Sequence, residues 1–150
     1  MEAVSVFYSW PEAAHQCMRI EKAVISTDGA SRGNPGPAAI GATIKDEQGK
    51  LIVRISQRIG VATNNQAEFR AVIAALEKAI ELGARCVAVN SDSELVVKQI
   101  NGQYQVKKST LKPLYQQVKQ LQGSLEVFTI THIPRQQNRD ADNLANRALR

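Results

Sequence analysis

Two cysteines in 150 residues rule out a disulfide framework, and neither Cys17 nor Cys86 stands at metal-ligand spacing from the only histidines, His15 and His132. Core thiols in a reducing compartment are the expectation, and with them a cytoplasmic location. Long hydrophobic runs are lacking too. No apolar stretch nears the ~18 residues of a membrane span, so no membrane partner is expected. Glu2 stands where a secretory leader would carry basic residues, and no clean apolar segment follows it, which argues against export. Acidic residues are missing from one long stretch, Gln99 to Ser124. Lys98, Lys107, Lys108, Lys112 and Lys119 lie in or beside that stretch, with Tyr104 and Tyr115 interleaved, and these lysines alone match the formal net charge of +5. A solvated helix face is the ordinary meaning of such a run. The complete lack of Asp and Glu tilts the reading toward a phosphate-facing patch.

What is present describes one domain with a sizeable core: 43% hydrophobic and 22% charged residues, in a length too short to expect two domains. Residues 1–21 carry a short apolar and aromatic patch (Val4, Val6, Phe7, Tyr8, Trp10) before Pro11. They are read as a terminal extension, disordered or loosely packed. From Lys22 the pattern sharpens. Lys22–Asp28 is a strand in which Ala23, Val24 and Ile25 in succession predict burial on both faces. It breaks into a loop rich in Gly and Pro. Ala39–Lys45 and Leu51–Ile59 then form a hairpin around Asp46 to Lys50, with Gly49 at the left-handed position.

Thr63 opens a helix that runs to about Leu82 and stops at Gly83. Phe69, Val72, Ile73, Leu76 and Ile80 form its apolar stripe, Glu68 sits at the edge of that stripe, and Arg70, Glu77, Lys78 and Glu81 fall on the watery side. Arg85–Asp92 is a buried strand, a short helix spans Ser93 to Asn101, Leu125–Pro134 is the last strand, and Asn138 caps a final helix. The order is β-β-β-α-β-α-α-β-α. It predicts an α/β fold with a five-stranded mixed sheet, three antiparallel strands followed by two parallel ones, and helices on both faces. A helical crossover returns the fourth strand parallel to the first. If the two are adjacent, Asp28 and Asp92 lie side by side at their carboxyl ends, where open α/β sheets place their sites.

Asp28, Glu68, Asp92 and either Asp140 or Asp142, which flank the inward stripe of the last helix on opposite sides, all fall at element ends. Each alone has an ordinary structural explanation, such as a turn or a helix dipole. Gathered, they would repel one another without cations between them. Magnesium is the natural hard cation for an all-carboxylate cage, with manganese a substitute. Two such ions about 3.5–4 Å apart would stabilise the attacking and leaving oxygens of an in-line phosphoryl displacement.

With these residues in place, the chain resembles type 1 ribonuclease H over Lys22 to Arg150, in the form that lacks a basic handle. The matching motifs are Thr27-Asp-Gly-Ala-Ser-Arg-Gly-Asn-Pro-Gly36, Thr63-Asn-Asn-Gln-Ala-Glu68, Ser91-Asp-Ser93 and Asn138-Arg-Asp-Ala-Asp-Asn-Leu-Ala145. Four motifs in order are specific where any one would not be. The resemblance implies a ribonuclease H-like fold over residues 22–150, and cleavage of the RNA strand of an RNA–DNA hybrid to 5′-phosphate and 3′-hydroxyl ends. It assigns the metal ligands to Asp28, Glu68, Asp92 and Asp142. It also implies that backbone around Gly29 to Arg32, with Asn34, Asn64 and Asn65, tests for RNA 2′-hydroxyls, and that Thr63 holds a DNA-strand phosphate. Ser93, Lys107 and Lys108 join the substrate-binding set. A monomer with no obligate protein partner is expected.

The chain departs from the family's pattern in three places. Glu94 follows the Asp-Ser pair where many relatives carry Gln. Asn101 to Ser109 is too short for the basic handle of many bacterial members, so the neighbouring lysines are left as a reduced substitute. The loop Thr131 to Asn138 is short. His132 alternates with Phe128 and Ile130 and reads as a strand residue, so Arg135 is the better candidate for the auxiliary role a loop histidine plays in other members. Another nuclease of the superfamily is opposed by the 2′-hydroxyl-reading asparagines, and a catalytically silent hybrid-binding module by the presence of all four acids. A reverse-transcriptase-derived domain is opposed by the lack of a polymerase segment.

Overall fold

The structure, a computed structural model, describes residues 20–150. Of residues 1–21, read from the sequence as a loose extension, 1–19 lie outside the described residues. Ile20 and Glu21 already belong to the body. Ile20 is buried in the core cluster and its N–H donates to Leu82 O, while Glu21 O accepts from Arg85 and Cys86.

Strands β1 (Lys22–Ser31), β2 (Gly36–Lys45) and β3 (Leu51–Ala62) form an antiparallel meander. Helix α1 (Asn64–Glu81) crosses over to β4 (Cys86–Ser91), which pairs parallel to β1. Helices α2 (Glu94–Ile100) and α3 (Lys112–Gln122) lead to β5 (Val127–His132), parallel to β4. A 3-10 turn at Arg135–Gln137 then enters α4 (Arg139–Ala148). The sheet order is β3-β2-β1-β4-β5, which makes β1 the central strand. The expected mixed sheet and the adjacency of the first and fourth strands are both present. The strands of the meander run further than the sequence pattern implied, because β1 continues to Ser31 and β3 to Ala62 on either side of the glycine loop.

One sheet face is the main core. Ala23, Ile25, Ile40, Ala42, Ile44, Val87, Val89 and Ile130 pack there against Phe69, Val72 and Leu76 of α1 and against Val96, Ile100 and Val118 of α2 and α3. Among the described residues, helix α4 is the one helix on the other face, over β1, β2 and β3. Of the inward residues the helical period selects, Ala141, Leu144 and Ala145 are buried and Ala148 is half-buried. Gly41 makes this seat possible. A Cβ there would stand 2.2 Å from Ala141 O and 2.5 Å from Ala145 N.

Two expectations about exposure fail for identifiable reasons. Val24 is 38% exposed rather than buried on its second face. Helix α4 meets β1 near Thr27 and then runs across to β3, where Ala148 O accepts from Arg58 Nε at 2.8 Å, so no helix among the described residues covers the start of β1 on that side. Lys78 is buried rather than on a watery face. Helical period alone does not show that the Lys78 stem is enclosed, while its ammonium reaches Glu81 Oε1 at 2.8 Å.

Gly41→Ala should therefore force α4 off β2. A loss of about 1–3 kcal/mol in urea unfolding is expected, the range for overpacking a filled core. Val61→Thr, at a residue 73% exposed, should change stability by less than about 0.5 kcal/mol and serves as the comparison.

Candidate active site

Asp28 and Asp92 come together because β1 and β4 are parallel neighbours in register, with Thr27 opposite Ser91. Each Asp follows by one residue, so both carboxylates emerge at the same end of the sheet. Glu68 arrives from the second turn of α1, and its approach depends on Gly29. A Cβ on Gly29 would lie 2.4 Å from Ala67 C and 2.5 Å from Glu68 N, so only a glycine lets the helix come this close to β1. The Gly29 N–H in turn donates to the Glu68 carboxyl. Thr63 fixes the start of α1 with a capping box: its Oγ1 accepts from Gln66 N at 3.1 Å, and Gln66 Oε1 accepts from Thr63 N at 2.8 Å.

One ligand oxygen each from Asp28, Glu68 and Asp92 lies within 4.8 Å of the other two. Asp142 adjoins the group through Asp28, whose carboxyl it lies close enough to push up. Packing brings Asp142, and not Asp140, beside the cluster. Asp140 is exposed, whereas Asp142 is half-buried and faces β1. Burial, followed by the charges of Asp92 and Asp142, pushes the Asp28 carboxyl up from its ordinary 3.8 to about 8. Burial and the Asp28 charge hold Glu68 well above its ordinary range as well. Without a cation the cluster holds protons.

Two cationic or polar groups lean on Asp142. Arg135 Nη2 and Asn146 Nδ2 both donate to Asp142 Oδ1, at 3.4 and 3.1 Å. Arg135 thus lies beside Asp142, at the edge of the acid cluster. Asn146 was not singled out from the sequence, although its spacing of four from Asp142 was a usable signal. His132, the alternative, is exposed at the end of β5, and its charge is felt by Glu94. Glu94 itself is exposed and paired with Lys98 at 2.9 Å, which holds its carboxyl below the usual range and neutralises the charge that distinguishes it from Gln.

The other residues picked from the sequence are placed as follows. Asn34 Oδ1 accepts from Asn64 N at 3.0 Å, tying the glycine loop to the start of α1. Arg32, Asn34 and Asn64 are exposed, and Asn65 is half-buried with a buried Oδ1 lacking a partner among the described residues. Ser93 caps α2 through Val96 N at 3.3 Å, a structural duty that leaves its hydroxyl less free than expected. Lys107 and Lys108 lie in the exposed connection between α2 and α3. Asn138 does not cap α4. Its side chain makes no capping bond and instead donates from Nδ2 to Thr27 O at 2.8 Å.

The donor set fits divalent cations. It consists of hard carboxylate oxygens, and Glu68 Oε1 and Asp92 Oδ2 are buried with no hydrogen-bond partner among the described residues. A cation would satisfy both and displace the protons.

Residues 26–148 match the family model described as Reverse transcriptase-like. A bifunctional protein of Mycobacterium tuberculosis is 44% identical over 129 residues, which are 85% of this chain and 35% of that protein. Ribonuclease HI of Halobacterium salinarum is 43% identical over 122 residues, 81% of this chain and 61% of that protein. The crystal structure of the Halobacterium salinarum RNase H1 superposes with a TM-score of 0.83 at 41% identity, covering 85% of this chain and 97% of that one. LC11-RNase H1, isolated from compost and solved in complex with an RNA/DNA hybrid, gives 0.80 at 42% identity over 84% and 95% of the two chains. The chain spans about a third of the mycobacterial protein it matches and under two thirds of the halobacterial one. It belongs to the reverse transcriptase-like family and, within it, to the ribonuclease HI type.

A carboxyl group that titrates higher in the folded chain than in the unfolded one makes stability fall as pH rises between its two pKa values. In EDTA, the melting temperature should therefore fall from pH 3.8 to about 8, the window set by Asp28, with Glu68 acting in the same direction. Asp28→Asn should flatten that slope in a thermal-melt series. Saturating magnesium should flatten it too, because the cation takes the place of the protons.

Proposed function

We propose that this chain is an endoribonuclease that hydrolyses the RNA strand of RNA–DNA hybrids and leaves 5′-phosphate and 3′-hydroxyl ends. The observation that carries the reading is the convergence of Asp28, Glu68 and Asp92, with Asp142 against Asp28, in a chain of ribonuclease HI type. The hybrid bound by LC11-RNase H1 supports the choice of substrate.

Asp28 stands between the other acids and would be shared by two cations, Mg2+ or in its place Mn2+, with Glu68 and Asp92 completing one set of ligands and Asp142 the other. Bound there, the pair would supply Lewis-acid stabilisation to the attacking water and to the leaving 3′-oxygen. The protein's own part is to hold the carboxylates rigid and to orient the hybrid. The capping box at Thr63 and the Asn34–Asn64 tie keep the glycine loop and the N-terminus of α1 in one surface beside the acids. In that surface Gly29, Arg32, Asn34, Asn64 and Asn65 would meet the RNA strand, where 2′-hydroxyls distinguish it from DNA. Thr63 would meet a DNA-strand phosphate at the positive end of α1. Ser93 would border the RNA beside Asp92, and Lys107 and Lys108 would add phosphate contacts. Arg135 would stabilise negative charge near Asp142 during phosphodiester cleavage. A monomer acting in the cytoplasm completes the proposal.

The test is cleavage of a labelled RNA strand presented free, paired to RNA and paired to DNA, with magnesium or with EDTA. Cutting confined to the hybrid and abolished by EDTA is expected, with Asp28→Asn and Asp142→Asn each at least about 100-fold slower, the scale of losing one electrostatic catalyst. Metal-dependent cutting of DNA or of RNA duplexes would instead make it a different nuclease of the superfamily. Tight hybrid binding without cutting would make it a silent binding module.

A further inference from the structure

We infer that Asn138 is a positioning residue that sets the spacing between Asp28 and Asp142. Three bonds converge on it. Its Nδ2 donates to Thr27 O at 2.8 Å, on the residue before Asp28. Its carbonyl accepts from Asp142 N at 3.1 Å, and its own N–H donates to Arg135 O at 3.0 Å. One residue thus joins the strand that carries Asp28 to the helix that carries Asp142 and to the turn that carries Arg135. The bond to β1 spans 111 positions of sequence, and the side chain that makes it is only 1% exposed.

The way the amide is used marks it as more than a helix start. Asn is a preferred N-cap because its oxygen can accept from the first free N–H groups of the helix. Here that oxygen accepts from no described residue, and α4 begins without a side-chain cap. The residue serves as a donor across to β1. Asp has no N–H to offer, and Ser has a shorter side chain that reaches less far. The requirement is for a short neutral donor, which an unengaged N-cap would not impose.

The inference rests on the reading of Asp28 and Asp142 as cation ligands, and the experiment separates the two. Mn2+ binding is titrated calorimetrically without substrate for the parent, Asp28→Asn, Asn138→Ser and Val118→Ala. Val118 is fully buried on α3, so its truncation supplies a loss of melting temperature away from α4. The parent should bind and Asp28→Asn should not. Asn138→Ser keeps a capping hydroxyl but should bind roughly ten-fold more weakly, as for other partners that orient a ligand. Its half-saturating metal concentration for cleavage should rise in step, while hybrid affinity in Ca2+ stays unchanged. Val118→Ala should leave Mn2+ affinity at the parent value. Where Asn138→Ser does not fold, Asn138→Asp, equal in size and a strong N-cap, is judged by the same criterion. Parent-like metal affinity in the Asn138 variant, or an equal weakening in Val118→Ala, overturns the positioning role alone. Equal binding by the parent and Asp28→Asn overturns the metal reading and this inference with it.

Discussion

Repulsion among carboxylates is the constraint on which the architecture depends. Two ionised carboxylates about 4 Å apart repel by about 4 kcal/mol at an effective dielectric of 20. Asp28, Glu68 and Asp92 place oxygens within 4.8 Å of one another, in a site buried enough to keep Asp28 protonated up to about pH 8. Nothing local favours that arrangement. It is held by features that serve the sheet: parallel pairing of β1 with β4, a glycine that lets α1 touch β1, and a buried amide that fastens α4 to the central strand. The rigidity of the core is what keeps these acids together in the absence of a counter-charge.

Opposite charge is distributed so as not to quench the cluster. Arg135 reaches Asp142 only at 3.4 Å and from an exposed position, so it screens one acid without filling the space between the other three. Lys98 pairs with Glu94 instead, and the lysines after it lie in or near the connection to α3. The proposed polyanionic substrate would then meet positive charge on the surface before it meets the acids. That order favours attraction at long range and keeps the acids free for a cation at short range.

Much of this was legible from the residues. Hydrophobic period placed the five strands and the first and last helices but gave no bounds for α3, and crossover logic put Asp28 beside Asp92 on the condition that the first and fourth strands are neighbours. Glu68 betrayed itself by standing on the core edge of an amphipathic helix. What stayed illegible depended on how faces dock. Asp140 and Asp142 flank the same stripe, and only the seating of α4 on β1 and Gly41 turns the second toward Asp28. Val24 and Lys78 were misjudged for the same reason, since one-dimensional patterning says which face of an element is apolar but not how far a neighbour extends over it. Asn138 is the sharpest case. Its position reads as a cap, and the partner it actually uses is on the far side of the sequence.

That distant partnership bears on when the molecule becomes chemically competent. The acids sit on β1, α1, β4 and α4, and the last of these is fastened to the first by an amide 111 residues away. Parallel pairing of β1 with β4 and the docking of α4 are both non-local contacts, which form late because long loops must close first. The β1–β3 meander and α1 by themselves bring only Asp28 and Glu68, and the remaining acids come with β4 and α4. Competence is thus tied to completion of the topology. A chain that has not yet docked its last helix holds an incomplete charge cage.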